Sequence, residues 1–532
     1  MKHIALLAAF LAMAGTADAA PAAVLQSSTA QGRQVDALFA KWNRPDTPGA
    51  MVEVIRDGKV LLLRHYGQAD LERNVPMSPD TEFTIGSMSK QFTAFSIHLL
   101  ARDGKLSLDD DIRTYLPQVP DFGKTITIRH LLHHTSGLRD YFDLMFMRGA
   151  GPDDVVTEDK ALALVMRQRA LNFEPGQEYV YCNTGYLLLG LIVQRVSGKP
   201  LPEFARERIF EPLGMKHTLF QHDYRSLVPG RALSYRPAAR GGYDYVAVAE
   251  SAIGAGGILT TAGDLALWDR NFYDGRVGGM DVIKQMQVPG VLNDGKPIGY
   301  ASGLLVYPYR GLRLVEHSGA IGGYSAQFWR FPDQRLSVVV LANAGDMDTY
   351  QSARRIADIY LDREPGVEPA PAPPAVSAKV YKEIELAPAR LDALVGYYAT
   401  SPHTGISFTR EGGRLTAQGT GFARIPVFAY GERDFFARAT DAQFTFDAPD
   451  KNGIVAGGVL HRDGHDIPAR RTAHTLPTAA ELKPFEAISI ATSCTCCIPS
   501  PPRMAISCWP TRSSRKRSAS TTRANMAPAW ET

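Results

Sequence analysis

A serine and a lysine three residues apart are the first residues in this chain whose types and spacing could do chemistry together. Ser87 and Lys90 stand at the start of FTIGSMSKQFTAFSIHLL, a half-apolar stretch that predicts a helix over 87–103. Residues i and i+3 of a helix share a face, so the hydroxyl and the amine would be neighbours. A serine becomes a good nucleophile when a base removes its proton, and lysine can be that base if burial lowers its pKa from about 10.4 toward neutrality. Free N–H groups at the helix start would stabilise a developing oxyanion.

The spacing of this pair is weak evidence by itself, because the C-terminal SSRK has the same spacing without a helical pattern. Two further segments support a catalytic interpretation of the pair. Tyr181 and Asn183 come directly before the apolar run TGYLLLGLIVQRVSG, which predicts a helix. His317 and Gly319 lie at the end of a predicted strand. The chain therefore carries Ser-x-x-Lys, Tyr-x-Asn and His-x-Gly in this order.

The ordered set resembles the motifs of the penicillin-recognising serine hydrolases, which include class C β-lactamases, D-aminopeptidases, DD-peptidases and related esterases. The stretches LLHHTSGL, FEPGQEYVYCNTGYLLLG and GAGGILTTAGDLALW add to the resemblance, which extends over about residues 30–362. It implies an α+β fold with a β-lactamase/DD-peptidase-like catalytic domain, in which an antiparallel sheet carries helices and a helical subdomain. It also implies catalysis through an acyl-enzyme, without a cofactor.

The resemblance implies catalytic roles for three residues. Ser87 would be the acylated nucleophile, and Lys90 would accept its proton. Tyr181 would supply a hydroxyl, or in part a phenolate, that relays protons to the leaving group and then from the deacylating water.

The other motif residues are implied to bind the substrate. Asn183 would hydrogen-bond the substrate's amide carbonyl and help to hold the lysine. The oxyanion hole would combine the N–H groups of Ser87 and Ala320, the residue after Gly319, on a strand edge that could pair with an extended substrate. His317 stands where the β-lactamase pattern usually has lysine, and a mostly neutral histidine is a poor partner for a substrate carboxylate. This form resembles D-aminopeptidases and esterases more.

We therefore expect an enzyme that hydrolyses an amide or ester of a small molecule or short peptide, with a peptide containing D-residues as the first candidate substrate. A class C-like β-lactamase and a short-chain esterase are the alternative enzymes. A penicillin-binding receptor that is acylated without turnover is the alternative outside enzymes. No metal site is expected, because the adjacent His133 and His134 point in different directions and no third ligand has a zinc-site spacing.

Three other features have simpler interpretations. Cys182, between two motif residues, is expected to be a small buried filler. Thr261 and Asp264 suggest a helix cap. The glycines of GAGG (254–257) are expected to let backbone approach the site closely.

The pattern around the motifs changes from strands to helices and back to strands. Residues 50–66 alternate around Asp57-Gly58 and predict a β-hairpin. Helices are predicted near 87–103, 126–134, 158–170, 183–197, 202–213, 261–271 and 348–362, and further strands at 303–309, 312–318, 324–331 and 336–344. Strands at both ends should form one sheet on which the helices pack.

The sequence divides into five predicted segments. MKHIALLAAFLAMAGTADAA has the layout of a signal peptide, and EPGVEPAPAPPAV that of an extended linker. Short β-rich runs after the linker predict a small antiparallel barrel or sandwich, and the last residues show no periodicity, as in a disordered or frame-shifted tail. The segments are a signal peptide at 1–19, a catalytic domain at 20–363, a linker at 364–380, a lipocalin-like β-barrel domain at 381–485 and the tail at 486–532.

Composition limits the classes of partner that the protein is expected to bind. The 532 residues carry a formal charge of +3, but the basic excess lies in the tail, so the nearly neutral body gives no reason to expect nucleic acid. After the leader no apolar run is long enough for stable membrane insertion. We expect a periplasmic or secreted protein with a small-molecule or short-peptide substrate, and the oligomeric state is left open.

Overall fold

The computed structural model describes two stretches of the chain. They are residues 29–361, without 152, 153 and 239, and residues 381–472, without 401–404, 420–424, 438–441, 452, 463 and 464. The predicted signal peptide, linker and tail lie outside the described residues, so the segment boundaries remain predictions.

Helices and strands alternate along the first stretch. Its α-helices are α1 Ala30–Leu38, α2 Lys90–Arg102, α3 Ile128–Leu132, α4 Tyr141–Met147, α5 Glu158–Val165, α6 Asn183–Ser197, α7 Leu201–Ala205, α8 Glu211–Leu213, α9 Ala262–Asp274, α10 Gly279–Met286 and α11 Thr349–Leu361. Its strands are β1 Ala50–Arg56, β2 Lys59–Tyr66, β3 Gln68–Asp70, β4 Val75–Pro76, β5 Phe83–Thr84, β6 Leu219–Phe220, β7 Tyr235–Pro237, β8 Tyr243–Tyr245, β9 Ile258–Thr260, β10 Leu305–Tyr309, β11 Leu312–Ile321, β12 Tyr324–Phe331 and β13 Leu336–Ala342.

Strands from both ends of this stretch form one antiparallel sheet, as the sequence predicts. Its order is β10-β11-β12-β13-β1-β2, so a strand from the beginning of the stretch lies beside one from its end. β1 pairs with β13 from Ala50↔Ala342 to Arg56↔Leu336. The predicted turn joins β1 to β2 through Asp57 and Gly58, whose φ angles of 52° and 71° suit a tight hairpin.

Helices cover both faces of the sheet, which is why every residue of β13 is buried. Val338 and Val340 belong to a cluster with residues of α1 and α11. Val339 and Leu341 belong to a separate, larger cluster with residues of α2, α6 and α9. This alternation follows from the pleat of a strand, in which successive side chains point to opposite faces.

The predicted helices are present, and their ends differ where local chemistry intervenes. α6 has the predicted bounds of 183–197, and Thr261 caps α9 by accepting a hydrogen bond from Asp264 N. The predicted helix at 87–103 begins as the 3-10 segment Gly86–Ser89 before α2. The predicted helix at 202–213 is divided by a π-helical segment, Arg206–Phe210. α1, α4 and α10 were not predicted. The small sheet β5-β9-β6 was not predicted either, because strands of two or three residues are too short to show a period.

The second stretch folds into a closed antiparallel barrel, which decides between the predicted barrel and sandwich. The helix α12 Pro388–Leu394 precedes strands β14 Gly396–Ala399, β15 Gly405–Glu411, β16 Arg414–Gly419, β17 Ile425–Ala429, β18 Asp434–Ala437, β19 Ala442–Phe446, β20 Gly457–Arg462 and β21 His465–Thr472. β14 closes the ring by pairing with β21. The barrel core holds Tyr398, Phe408, Phe444 and Phe446, with ring centroids 4.7 to 5.6 Å apart. Small barrels are commonly filled by side chains in this way.

Candidate active site

Two glycines bring the serine-bearing turn against the edge of β11. Gly86 has a φ of 49°, and a Cβ on it would lie 2.8 Å from Ala320 N. A Cβ on Gly319 would overlap Ile85 O. Only glycine allows backbones to approach this closely, so the half-buried Ser87 follows a tightly fitted junction.

Lys90 lies at the centre of the site, with its amine held by three oxygen atoms. Nζ is 3.1 Å from Ser87 Oγ, 2.8 Å from Asn183 Oδ1 and 2.7 Å from Ala255 O. An amide oxygen and a backbone carbonyl can only accept hydrogen bonds, whereas a hydroxyl can also donate. When the amine is neutral, its lone pair can therefore face only the serine among these three partners.

Burial allows a substantial fraction of Lys90 to be uncharged near pH 7. The Lys90 residue is 0% exposed, and burial lowers its pKa from the ordinary 10.5 to about 7, against the opposing pull of the Asp140 and Glu250 carboxylates. A lysine that accepts a serine proton needs such a fall in pKa, and burial of Lys90 causes it.

Tyr181 lies over the amine at the open side of the site. Its ring centroid is 4.7 Å from Lys90 Nζ, and the residue is 36% exposed. Burial of the hydroxyl raises the pKa of Tyr181 well above 10, and a hydrogen bond with the Ser87 side chain opposes part of that rise. The phenol is therefore protonated at neutral pH, and the partial phenolate considered from the sequence is not favoured by these surroundings.

Asn183 is fixed by a carboxylate that the motif analysis did not identify. Asp140 Oδ2 accepts from both the backbone N and Nδ2 of Asn183, the latter at 2.9 Å. Its other oxygen caps α4 by accepting from Phe142 N at 2.8 Å. With Nδ2 held by Asp140, the Asn183 Oδ1 atom must face Lys90. The only signal for Asp140 in the sequence is its capping position before YFDLMFM.

His134 supports the segment that carries the tyrosine. Its Nδ1 accepts from Cys182 N at 3.0 Å, and its ring packs on Tyr181 with centroids 4.3 Å apart. This explains one of the adjacent histidines without a metal. Cys182 is buried and donates from Sγ to Leu138 O at 3.3 Å, and burial raises its thiol pKa to about 12, as a filler rather than a nucleophile requires.

His317 belongs to β11 and is buried rather than presented to solvent. Nδ1 is 2.6 Å from Ser318 O, so Nδ1 carries the proton, and Nε2 accepts from Tyr300 Oη at 3.0 Å. The residue is 3% exposed, and burial lowers its pKa to about 3. The ring is neutral at pH 7, in line with the expected loss of a cation at this position.

The strand beyond His317 has an edge that β10 leaves unpaired. β10 pairs with β11 only from Leu312 to Glu316, while Ala320 pairs on the other side with Ser325 of β12. Ala320 is exposed, and its N lies beside Gly86, next to the serine. The structure thus brings the backbone N of Ala320 close to the turn that presents Ser87.

A second unpredicted carboxylate lies close to these residues. Glu250 Oε1 accepts from the fully buried Tyr141 hydroxyl at 3.1 Å. Burial raises the pKa of Glu250 to about 7, and Tyr141 and Lys90 oppose this rise. No spacing rule marks Glu250, because it belongs to an irregular segment between β8 and β9.

Comparison with known proteins adds independent observations. Residues 35–361 match the family model described as Beta-lactamase. The chain is 30% identical over 457 residues to penicillin-binding protein 4* of Bacillus subtilis, across 83% of this chain and 98% of that protein. It is 32% identical over 296 residues to a D-aminopeptidase of Brucella anthropi, across 56% of each chain.

Solved structures give the same picture. The octameric penicillin-binding protein homologue from Pyrococcus abyssi superposes with a TM-score of 0.58 at 25% identity, over 83% of this chain and 99% of that one. A D-amino acid amidase from Ochrobactrum anthropi SV3, solved with D-phenylalanine, superposes with a TM-score of 0.53 at 25% identity, over 63% of this chain and 99% of that one.

Proposed function

The chain belongs to the Beta-lactamase family, and we propose that it is a D-aminopeptidase-type hydrolase that works through an acyl-enzyme. The resemblance, the fold class and the serine hydrolase class expected from the three motifs are thereby confirmed. The acyl-enzyme, the substrate and the roles of individual residues are what we propose.

In the first step, neutral Lys90 takes the Ser87 proton as Ser87 Oγ attacks the substrate carbonyl carbon. The observation that carries this step is the 3.1 Å contact between Nζ and Oγ, in which only the hydroxyl can donate to the amine's lone pair. The developing oxyanion would be held by the N–H groups of Ser87 and Ala320.

Collapse of the tetrahedral intermediate breaks the bond to the leaving group, which needs a proton. Protonated Tyr181 can give its proton to the leaving amine and regain one from Lys90. The net result is transfer of the Ser87 proton to the leaving amine. For deacylation, a water molecule would attack the acyl-enzyme while its proton passes to Tyr181 and from Tyr181 to Lys90. The bond to Ser87 Oγ then breaks, Lys90 returns the proton to Ser87, and the acid product leaves. Tyr181 suits a relay because its raised pKa keeps it protonated between steps.

Asn183 would place the substrate. One Nδ2 proton is used by Asp140 at 2.9 Å, and the second is available for a substrate carbonyl. An extended peptide would pair with the edge of β11 beyond His317.

Two observations favour a D-residue peptide over a β-lactam. His317 is neutral and buried, so it offers no cation to a β-lactam carboxylate. Relatives of this chain are named D-aminopeptidase, and a similar structure is that of a D-amino acid amidase.

The test compares four substrates on one preparation, with Ser87→Ala as the blank. We expect hydrolysis of D-alanine p-nitroanilide, little for L-alanine p-nitroanilide, and slow turnover of nitrocefin. Faster relative turnover of nitrocefin would favour a β-lactamase, and of p-nitrophenyl butyrate alone an esterase. A burst of nitrocefin opening without steady turnover would favour a penicillin-binding receptor.

We also propose that the protein is exported to the periplasm or the medium, on the strength of its leader-like first residues. None of the helices in the described residues is long and apolar enough to cross a membrane. N-terminal sequencing of the protein from the periplasmic fraction should begin at Ala20, and an intact Met1 would contradict export by cleavage.

A further inference from the structure

Glu250 is held rigidly at the side of the active site. Its segment is pinned to the strand-like residue Val156, which donates from N to Ala249 O at 2.9 Å and accepts from Ser251 N at 2.7 Å. The Tyr141 hydroxyl then fixes the carboxylate through Oε1. Both the backbone and the side chain of Glu250 are therefore oriented before any substrate arrives.

The second carboxylate oxygen faces the serine turn. A Cβ on Gly256 would lie 3.7 Å from Glu250 Oε2 and 3.8 Å from Gly86 O, so the carboxylate and the residue before Ser87 border the same small space. Gly256 also follows Ala255, whose carbonyl oxygen accepts from the Lys90 amine. Electrostatic coupling between Glu250 and Lys90 is consistent with this proximity.

A cavity lies beside Glu250, and its wall also contains the guanidinium-bearing Arg231. Val248 contacts the turn between β11 and β12, since a Cβ on Gly322 would lie 2.6 Å from Val248 Cγ2, two residues beyond Ala320. The cavity walls include Thr84, Tyr245, Val248, Glu250, Gly257 and Tyr324.

Glu250 also has unused binding capacity. Oε1 accepts from Tyr141, and Oε2 has no hydrogen-bond partner among the described residues. An oriented carboxylate oxygen beside a cavity is a favourable partner for a cationic ligand group, because hydrogen bonds between charged groups are the strong ones.

On the basis of the function proposed above, we propose that Glu250 binds the free α-ammonium group of the substrate's N-terminal D-residue. That ammonium is attached to the carbon next to the carbonyl that Ser87 attacks, so it must lie within a few bonds of Oγ in the reacting complex. A carboxylate bordering the serine turn can reach it, and the ammonium would fill the partner position that Oε2 lacks. The enzyme would then require a free amino terminus.

The test uses two esters that differ only in the amine, D-alanine p-nitrophenyl ester and p-nitrophenyl propionate. Glu250→Gln keeps an oxygen that can accept from Tyr141 but removes the charge. At pH 7 we expect kcat/KM for the D-alanine ester to fall about 10- to 100-fold, the range for a lost hydrogen bond between charged groups, while that for the propionate ester changes at most twofold. Glu250→Asp should recover part of the loss.

Asp143→Asn is the matched control, because it removes an exposed carboxylate from α4, two residues from Tyr141. It should leave the ratio of the two kcat/KM values within twofold. Equal losses on both esters in Glu250→Gln, or no loss on either, would overturn the proposal.

Two further measurements keep the inference independent of variant folding and of peptidase activity. After correction for hydroxide-catalysed hydrolysis, the wild-type enzyme should prefer the D-alanine ester to the propionate ester at least tenfold, and equal use of both would refute amine binding. Failure to hydrolyse D-alanine p-nitroanilide, with the ester preference intact, would reject the peptidase function and leave the Glu250 assignment standing.

Discussion

The acylation rate should depend on pH through Lys90, with an acid limb centred near pH 7. Only the neutral amine can accept the Ser87 proton, and burial lowers the pKa of this lysine from 10.5 to about 7. The rate of acylation should therefore rise with pH below 7 and level off above it. An ordinary lysine would give a rate that keeps rising to pH 10.

The size of the effect follows from the same shift. A fall of this size corresponds to about 5 kcal/mol of preference for the neutral amine. At pH 7 roughly half of the molecules would carry neutral Lys90, against fewer than about one in a thousand for an exposed lysine. At pH 5 the neutral fraction is about 1%, so acylation at pH 5 should be about 100-fold slower than the plateau.

The measurement is the pre-steady-state release of p-nitrophenol from p-nitrophenyl propionate between pH 5 and 9, with Ser87→Ala subtracted at each pH. Glu250 has a pKa of about 7 as well, so Glu250→Gln must be measured in parallel. The limb should persist in that variant and move to lower pH, because the carboxylate that raises the lysine pKa is gone. A limb that vanishes in Glu250→Gln, or a rate still rising at pH 9, would refute the assignment to Lys90.

Three other substitutions test the site and its support. Gly319→Ala should abolish activity and lower the melting temperature, because its methyl group would overlap the backbone oxygen of Ile85. Gly413→Ala in the barrel is the control and should do neither, because no atom lies within 4 Å of the added carbon. Asp140→Asn should reduce kcat/KM about 10-fold or more, because its single amide oxygen cannot accept from both Asn183 and Phe142 N. It should also shift the acid limb below that of wild type, and an unchanged limb would contradict the coupling. Burial raises the pKa of Glu316 from 4.5 to about 7, so the folded state binds the extra proton between these values and loses stability as pH rises through that window. The free energy of unfolding of Glu316→Gln, measured with urea, should therefore rise by about 3 kcal/mol relative to that of wild type between pH 4.5 and 8. A difference that stays constant over this range would contradict the prediction.

The sequence could predict what local periodicity determines. The spacing of Ser87 and Lys90 places them together in either a 3-10 or an α-helical turn, because residues i and i+3 are neighbours in both. The alternation around Asp57 identifies a hairpin without knowledge of the remaining chain.

The remaining residues of the site depend on tertiary contacts that no local pattern records. Asp140 and Glu250 come from segments about 50 and about 160 residues after Lys90, and each is brought to the amine by packing of irregular chain. His317 is visible as part of a motif, but its burial under Tyr300 is not, because the tyrosine precedes it on a separate segment. Sequence patterns thus indicate the reacting groups, and the structure is needed for the groups that set their proton affinities.

Lys90, Asp140 and Glu250 influence one another's pKa values. Burial that lowers the lysine pKa also raises the pKa of Asp140 and of Glu250. Because a carboxyl group that is partly protonated exerts a weaker field, Glu250, with a pKa of about 7, pulls less on the lysine than a full charge would, which favours the neutral amine. An ammonium group bound at Glu250 would ionise that carboxyl and cancel its charge at the same time, so the lysine would experience little net change. Recognition of a cationic substrate is in this way compatible with a neutral base a few ångströms from the bound charge.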